Sequence, residues 1–179
     1  MIEKDELRAW AIQKAMVIPE RRKKEADLAA AEKLLLSKEF NESKIVFCYI
    51  SVRDEVSTLE ILKAAIQLKK KLCVPRCLPE YAMEAVTIEN INDLENDLYG
   101  IPTVKKGGQV IPVSLIDLAV LPCLCADERG YRIGYGKGYY DRFLAEYQGF
   151  SVVLCRKELL VNEIPAEPHD RKADLVIAS

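Results

Sequence analysis

The 179-residue chain has little net charge and no long hydrophobic run. Its formal net charge is −2, so no general basic character points to a nucleic-acid partner. The longest apolar runs are far too short to span a bilayer. The N-terminal segment is charged where a secretory signal peptide would have an apolar core. These absences predict a cytoplasmic protein that binds neither nucleic acid nor membrane.

Histidine and paired-cysteine motifs are also scarce. His169 is the only histidine, and a lone histidine is more often a hydrogen-bonded structural residue than a catalyst. The six cysteines include C-x3-C and C-x-C spacings but no C-x2-C zinc knuckle. Most of them lie in or beside apolar, strand-like runs, where a free cysteine behaves as a small hydrophobe. We therefore expect reduced, structural thiols rather than a metal or redox site.

The pattern of apolar runs indicates the fold class. Neither a repeat nor a linker interrupts the sequence, and its length suits one domain over residues 1–179. Predicted strands lie at 45–50, 72–75 (ended by Pro75), 83–88, 115–122, 150–155 and 175–178. Helical spacings alternate with them, beginning with a helix from about Glu3 to Met16 and a second helix opened by Pro19. This alternation predicts an α/β domain with a largely parallel sheet and helices on both faces.

Glycine is concentrated in one segment. Four of the chain's eight glycines lie among the twelve residues from Gly130 to Asp141. Gly134, Gly136 and Gly138 alternate there, and glycine tolerates the positive φ that turns successive N–H groups towards one point. Such a nest of amides binds anions, most often phosphate.

Two cations and a helix accompany these glycines. Lys137 lies inside the run as a mobile point charge, and Arg132 precedes it with a planar fork that suits phosphate oxygens. The spacing turns helical from Tyr139, with one apolar face from Tyr140 to Tyr147, so the loop leads into a helix N-terminus that also favours anions. The segment matches neither G-x-x-x-x-G-K-[ST] nor G-x-G-x-x-G. The alternative is a flexible glycine hairpin.

The run Arg132-Ile133-Gly134-Tyr135-Gly136-Lys137-Gly138-Tyr139-Tyr140-Asp141-Arg142-Phe143-Leu144 resembles the signature of the 5-formyltetrahydrofolate cyclo-ligases, also called 5,10-methenyltetrahydrofolate synthetases. Shorter segments that also resemble the family are spread over nearly the whole chain: 4–8 (Lys-x-x-Leu-Arg), 54–58 (Asp-Glu-Val-x-Thr), 100–102 (Gly-Ile-Pro), 117–122 and 165–174. Cys123 and Cys125 depart from the family's usual pattern.

This resemblance implies a Rossmann-like three-layer α/β/α domain and an ATP-dependent ligase of folate one-carbon metabolism. The implied reaction converts 5-formyltetrahydrofolate, with or without a polyglutamate tail, to 5,10-methenyltetrahydrofolate, ADP and phosphate. ATP phosphorylates the formyl oxygen, and N10 then attacks the activated carbon. Lys137 and Arg132 would be the catalytic cations, Mg²⁺ the cofactor, and the protein a monomer.

The resemblance also implies the binding residues. ATP would be held by Lys4, Arg8, Arg132, Gly134, Tyr135, Gly136, Lys137, Gly138, Tyr139 and Tyr140. The folate would be held by Ile50, Glu55, Tyr135, Gly136, Lys137, Gly138 and Tyr139. Asp141 and Asp170 would supply two carboxylates for one magnesium ion.

From the residues alone, the chemistry stops at nucleotide binding and phosphoryl transfer, with the acceptor unidentified. One alternative is another enzyme with a glycine loop that acts on sugar phosphates or acyl-CoA. Ligands that contain phosphate but show no ATP dependence would favour it. The other alternative is a non-catalytic module, which binding of folate or nucleotide without turnover would favour.

Overall fold

A computed structural model describes residues 3–96, 102–104 and 107–179. Residues 100 and 101 of the predicted Gly-Ile-Pro segment lie outside these ranges. Within them, the α-helices are α1 (Lys4–Val17), α2 (Glu20–Leu35), α3 (Lys38–Glu42), α4 (Leu59–Gln67) and α5 (Tyr139–Glu146). None of the described helices combines the length and the apolar character needed to cross a membrane.

The strands form one large sheet and two small ones. They are β1 (Ile45–Cys48), β2 (Lys71–Cys77), β3 (Met83–Ile88), β4 (Glu95–Asn96), β5 (Pro102–Thr103), β6 (Val110–Ile111), β7 (Leu118–Leu121), β8 (Cys125–Asp127), β9 (Arg132–Ile133), β10 (Phe150–Cys155), β11 (Leu160–Val161) and β12 (Leu175–Ala178). Among the described residues the large sheet has seven strands in the order β12-β10-β7-β1-β2-β3-β6. The first five are parallel to one another, β3 pairs antiparallel with β2, and β6 pairs antiparallel with β3. The predicted α/β class and largely parallel sheet are confirmed.

Helices cover both faces of this sheet. Successive side chains of a strand point to opposite faces. Phe47 accordingly belongs to a core that includes residues of α1 and α5, whereas Val46 and Cys48 belong to a second core with residues of α2, α3 and α4. Five of the six free cysteines are buried, and Cys77 is exposed.

The predicted end of the second strand is wrong. Pro75 does not end β2, which continues to Cys77. The pairing of β2 with β1 reaches only Cys73, and beyond it the strand neighbour is β3, where Pro75 lies opposite Ala85. Proline is tolerated where a strand has a partner on one side only. The observed strand β7 (Leu118–Leu121) is shorter than the strand predicted for 115–122. A 3₁₀ turn at Val113–Leu115 precedes it.

Candidate active site

The candidate site lies where parallel strands of the large sheet end. Because β1, β7 and β10 are parallel neighbours, the segments that follow them meet at one edge, the usual ligand-binding edge of an open α/β sheet. A hydrogen bond shows that they do meet: Arg156, directly after β10, donates from Nη1 to the carbonyl oxygen of Asp54 in the segment after β1 at 2.6 Å.

A hairpin that the sequence patterns did not reveal positions the glycine loop. Strands β8 and β9 pair antiparallel and lead directly into Gly134. The turn between them is organised by the fully buried Asp127, whose carboxylate accepts hydrogen bonds from the backbone N–H groups of Arg129, Tyr131 and Ile164. The Asp-x-x-Gly spacing of this turn was the available sequence signal.

The glycine loop, defined as residues 134–138, has the expected backbone at two positions. Gly136 has φ +86° and Gly138 has φ +69°, both in the left-handed region that favours glycine. Gly138 is the N-cap residue of α5, so the helix begins at Tyr139 as its spacing predicted. Gly134 does not have a positive φ.

The first helix places Arg8 against this loop. α1 begins after Glu3, whose backbone N–H donates to the Glu6 carboxylate at 3.3 Å in a capping box. Arg8 is therefore in the second turn, where its Nε donates to the carbonyl oxygen of Gly134 at 2.9 Å. A Cβ at Gly136 would lie 3.3 Å from the Arg8 guanidinium carbon, so the guanidinium lies over the loop.

Lys4 joins α1 to the segment that carries Asp170. Its Nζ lies 2.6 Å from Asp170 Oδ2 and 2.8 Å from Glu167 Oε2. Partial burial acts to raise the pKa of Asp170, but the hydrogen bonds from Lys4 and from the backbone N–H of Glu167 hold it below its ordinary value. A cavity of about 260 Å³ is lined by Glu3, Lys4, Asp5, Arg8, Pro165 and Glu167.

The cations of the glycine segment differ in their surroundings. Lys137 is exposed, and its carbonyl oxygen accepts from Arg142 Nη2 at 2.5 Å. The Arg132 side chain is 5% exposed and donates to the carbonyl oxygen of Arg171 at 2.7 Å and to Asp141 Oδ1 at 3.2 Å. Arg132 therefore holds the start of α5 against the 165–174 segment.

Of the predicted carboxylates, Asp141 lies on α5 and Asp170 lies within the 165–174 segment. Asp141 also accepts from the backbone N–H of Arg171 at 3.3 Å. Asp170 belongs to a group with Glu167 and His169 whose potential ligand atoms lie within 4.8 Å of one another; among the described residues Asp141 is not in that group. Carboxylate oxygens are the ligands that Mg²⁺ prefers, so the donor chemistry fits this ion. His169 is exposed, with Nε2 3.2 Å from Glu167.

Glu55 forms the other side of the site. It is 9% exposed, and its carboxylate accepts from the backbone N–H of Val52 at 2.9 Å. Burial raises its pKa to about 7, although the Val52 N–H and Arg53 act to lower it. Burial raises the pKa values of Tyr135 and Tyr140, and the charge of Glu55 raises them further.

Aromatic contacts connect the two sides. The Arg53 guanidinium carbon lies 5.4 Å from the centre of the Tyr135 ring, which links the segment after β1 to the glycine loop. Tyr140 packs edge-on against Phe47 with 6.5 Å between ring centres, and Ile50 packs against the core that contains α4. The Tyr139 ring lies 5.8 Å from the Arg142 guanidinium carbon. The predicted site residues of 50–55 and 132–141 thus surround one region.

The chain resembles proteins of known family over its full length. The sequence model of the 5-formyltetrahydrofolate cyclo-ligase family matches residues 1–179. The mouse 5-formyltetrahydrofolate cyclo-ligase is 28% identical, over 96% of this chain and 91% of its own length. A probable 5-formyltetrahydrofolate cyclo-ligase of Caenorhabditis elegans is 30% identical, over 83% and 79%. The solved 5,10-methenyltetrahydrofolate synthetase of Aquifex aeolicus shares the fold with a TM-score of 0.87, at 24% identity over 98% of this chain and 89% of that chain.

Proposed function

The chain belongs to the 5-formyltetrahydrofolate cyclo-ligase family, and we propose that it converts 5-formyltetrahydrofolate to 5,10-methenyltetrahydrofolate with hydrolysis of ATP to ADP and phosphate. One observation carries this proposal: Arg8 Nε donates to the carbonyl oxygen of Gly134, 126 residues away. Two segments for which the family resemblance separately implies nucleotide binding are thereby in contact.

The nucleotide side would be formed by α1 and the glycine loop. Lys4 and Arg8 offer charges from the helix, and Lys137 offers one from the loop. The amides that follow the left-handed Gly136 and Gly138 and the N-terminus of α5 add donors for phosphate oxygens. Tyr135, Tyr139 and Tyr140 supply rings beside these donors. This combination of cations, amides and rings supports ATP as the co-substrate.

Asp141 and Asp170 would hold Mg²⁺ together with the phosphates. Each carboxylate accepts a hydrogen bond from a cation, Arg132 for Asp141 and Lys4 for Asp170. When bound, the ion would offset negative charge on the transferred phosphoryl group. Arg132 and Lys4 would then pair with phosphate oxygens instead.

The folate would lie between Glu55 and the glycine loop. Glu55 is buried in the segment whose Arg53 contacts the Tyr135 ring, and it would offer a directional hydrogen-bonding group to a polar ring edge. Ile50 supplies apolar surface from the same segment. A flat pterin ring suits a site with one such polar group between aromatic and apolar walls.

The reaction needs positioning and charge stabilisation rather than a protein nucleophile. The formyl oxygen attacks the γ-phosphorus of ATP, and ADP leaves. The formyl carbon, now bearing a good leaving group, is attacked by N10 of the same folate. Loss of the N10 proton and of phosphate then leaves the methenyl bridge. Lys137 and Arg132 would stabilise the charge that develops on the transferred phosphoryl oxygens.

The remaining assignments are proposals of the same kind. We place all 179 residues in one domain that acts as a monomer in the cytoplasm. Equilibrium sedimentation of the purified protein at several concentrations tests the monomer. A mass that rises with concentration would contradict it.

The test of the reaction is the absorbance of the methenyl product after mixing protein, 5-formyltetrahydrofolate, ATP and Mg²⁺. Each component is omitted in turn. Growth of the chromophore only in the complete mixture is the expected result. Binding of folate and ATP without turnover would favour a non-catalytic module, and stabilisation by sugar phosphates or acyl-CoA but not by ATP would favour the other enzyme class.

A further inference from the structure

A buried arginine contacts the backbone of the segment that carries Glu55. Arg156 is 2% exposed and follows β10 directly. Its Nη1 donates to the carbonyl oxygen of Asp54 at 2.6 Å, and its Nη2 donates to the carbonyl oxygen of Glu55 at 3.0 Å. One planar guanidinium thus holds two consecutive carbonyl groups.

An aspartate of α2 completes this arrangement. Asp27 Oδ1 accepts from Arg156 Nε at 2.8 Å, and Asp27 Oδ2 accepts from Nη2 at 3.0 Å. The same Oδ2 accepts from the backbone N–H of Ser57 at 3.0 Å. The Arg156–Asp27 pair therefore fixes the segment 52–57, which we call the Glu55 loop, at a carbonyl pair and at an amide.

The ends of the Glu55 loop have hydrogen bonds of their own. The Tyr49 hydroxyl donates to the carbonyl oxygen of Val56 at 2.6 Å, and the Thr58 hydroxyl donates to the carbonyl oxygen of Tyr49 at 2.8 Å. The start of α4 is thus secured without Arg156. What the arginine holds specifically is the peptide on either side of Glu55.

We propose that Arg156 and Asp27 are positioning residues for the folate: the pair sets the place and orientation of Glu55 without touching the substrate. The proposal rests on the proposed function for its substrate. A guanidinium can reach Asp27 and both carbonyl groups at once because its donors lie in one rigid plane. Lysine has a single nitrogen at the end of a flexible chain, so Arg156→Lys keeps the charge but loses the simultaneous contacts.

The primary test compares Arg156→Lys and Asp27→Asn with the wild type. The matched control is Glu158→Gln, which breaks the Arg22–Glu158 ion pair between α2 and the same region of the chain but does not contact the Glu55 loop. We expect Arg156→Lys to raise KM for 5-formyltetrahydrofolate about tenfold, with KM for ATP changed less than about twofold. Asp27→Asn should shift the same constant in the same direction, and the control should leave both constants unchanged.

A second measurement needs no catalysis. Amide hydrogen exchange should become faster at residues 52–57 in Arg156→Lys and Asp27→Asn, while exchange in α4 and in the control stays at wild-type rates. If the wild type forms no methenyl product, the proposed function fails, and the exchange measurement still tests the positioning role. Unchanged exchange at 52–57, or equal increases of both KM values, would overturn the proposal.

Discussion

Arg8 and Gly134 are joined by a hydrogen bond of 2.9 Å between the arginine Nε and the glycine carbonyl oxygen. The contact fixes the position of α1 relative to the glycine loop, because the guanidinium also lies over Gly136. A side chain at position 136 would thus encounter both an unfavourable backbone angle and the arginine. Position 134 has neither problem, since nothing lies within 4 Å of a Cβ there.

This difference predicts unequal effects of two alanine substitutions. Gly136→Ala should lower the free energy of unfolding by about 1 kcal/mol, because alanine at φ +86° is strained by more than its reduced unfolded-state entropy offsets. Gly134→Ala should leave that free energy within about 0.5 kcal/mol of the wild type. Urea unfolding of both variants checks this. Equal losses of stability would show that the left-handed backbone at Gly136 is not maintained in solution.

The glycine loop was the most predictable part of the molecule. Its left-handed positions and the start of α5 at Tyr139 follow from local rules, because glycine and helical spacing act over a few residues. The strands 83–88, 150–155 and 175–178 likewise match β3, β10 and β12. The apolar pattern of 150–155 agrees with the burial of β10 between β7 and β12, whereas in the edge strand β12 only Ile177 is buried.

Arg156 shows what local patterns could not reveal. A charged residue directly after an apolar strand is typical of a solvated strand end, yet this arginine is 2% exposed. Its partners are 101 to 129 residues away in the chain. Two of its four hydrogen bonds go to the Asp27 carboxylate, and the other two go to the carbonyl oxygens of Asp54 and Glu55. Only the tertiary structure brings them together. Strand β9, with two residues, is similarly too short to produce a period-two pattern.

Removal of the exposed loop cation should affect catalysis rather than folding. We expect Lys137→Ala to lower kcat at least about a hundredfold, because a lost charge beside the developing phosphoryl oxygens has costs of this size. The melting temperature should stay within about 2 °C of the wild type, since the side chain is exposed. Initial rates of methenyl formation and thermal unfolding provide the two values. Lys63→Ala on α4 is the control, and near-normal turnover of Lys137→Ala would remove this lysine from the mechanism.

The magnesium dependence should change when Asp141 loses its charge. We expect Asp141→Asn to raise the Mg²⁺ concentration for half-maximal rate about tenfold, because an amide oxygen binds a hard cation more weakly than a carboxylate does. A titration of rate against Mg²⁺ at saturating ATP measures it. The control is Glu146→Gln, an exposed carboxylate on the same helix α5. A titration curve identical to that of the wild type would exclude Asp141 as a ligand.

Glu55 should make stability depend on pH in the direction opposite to that of a salt-bridged carboxylate. Burial raises its pKa from 4.5 to about 7, despite the lowering effects of the Val52 N–H and Arg53. Between these values the folded protein binds more protons than the unfolded chain. The contribution of Glu55 is therefore most favourable below pH 4.5 and is lost as pH rises towards 7, by about 3 kcal/mol at most.

Glu55→Gln tests this dependence, because glutamine keeps the acceptor for the Val52 N–H but cannot ionise. The variant should gain about 2 kcal/mol over the wild type in urea unfolding at pH 8, and much less at pH 5. The exposed Glu89→Gln should show no such difference. A stability gain equal at both pH values would contradict the raised pKa. If the stabilised variant also binds 5-formyltetrahydrofolate more weakly, the buried carboxyl is maintained for the substrate at a cost in stability.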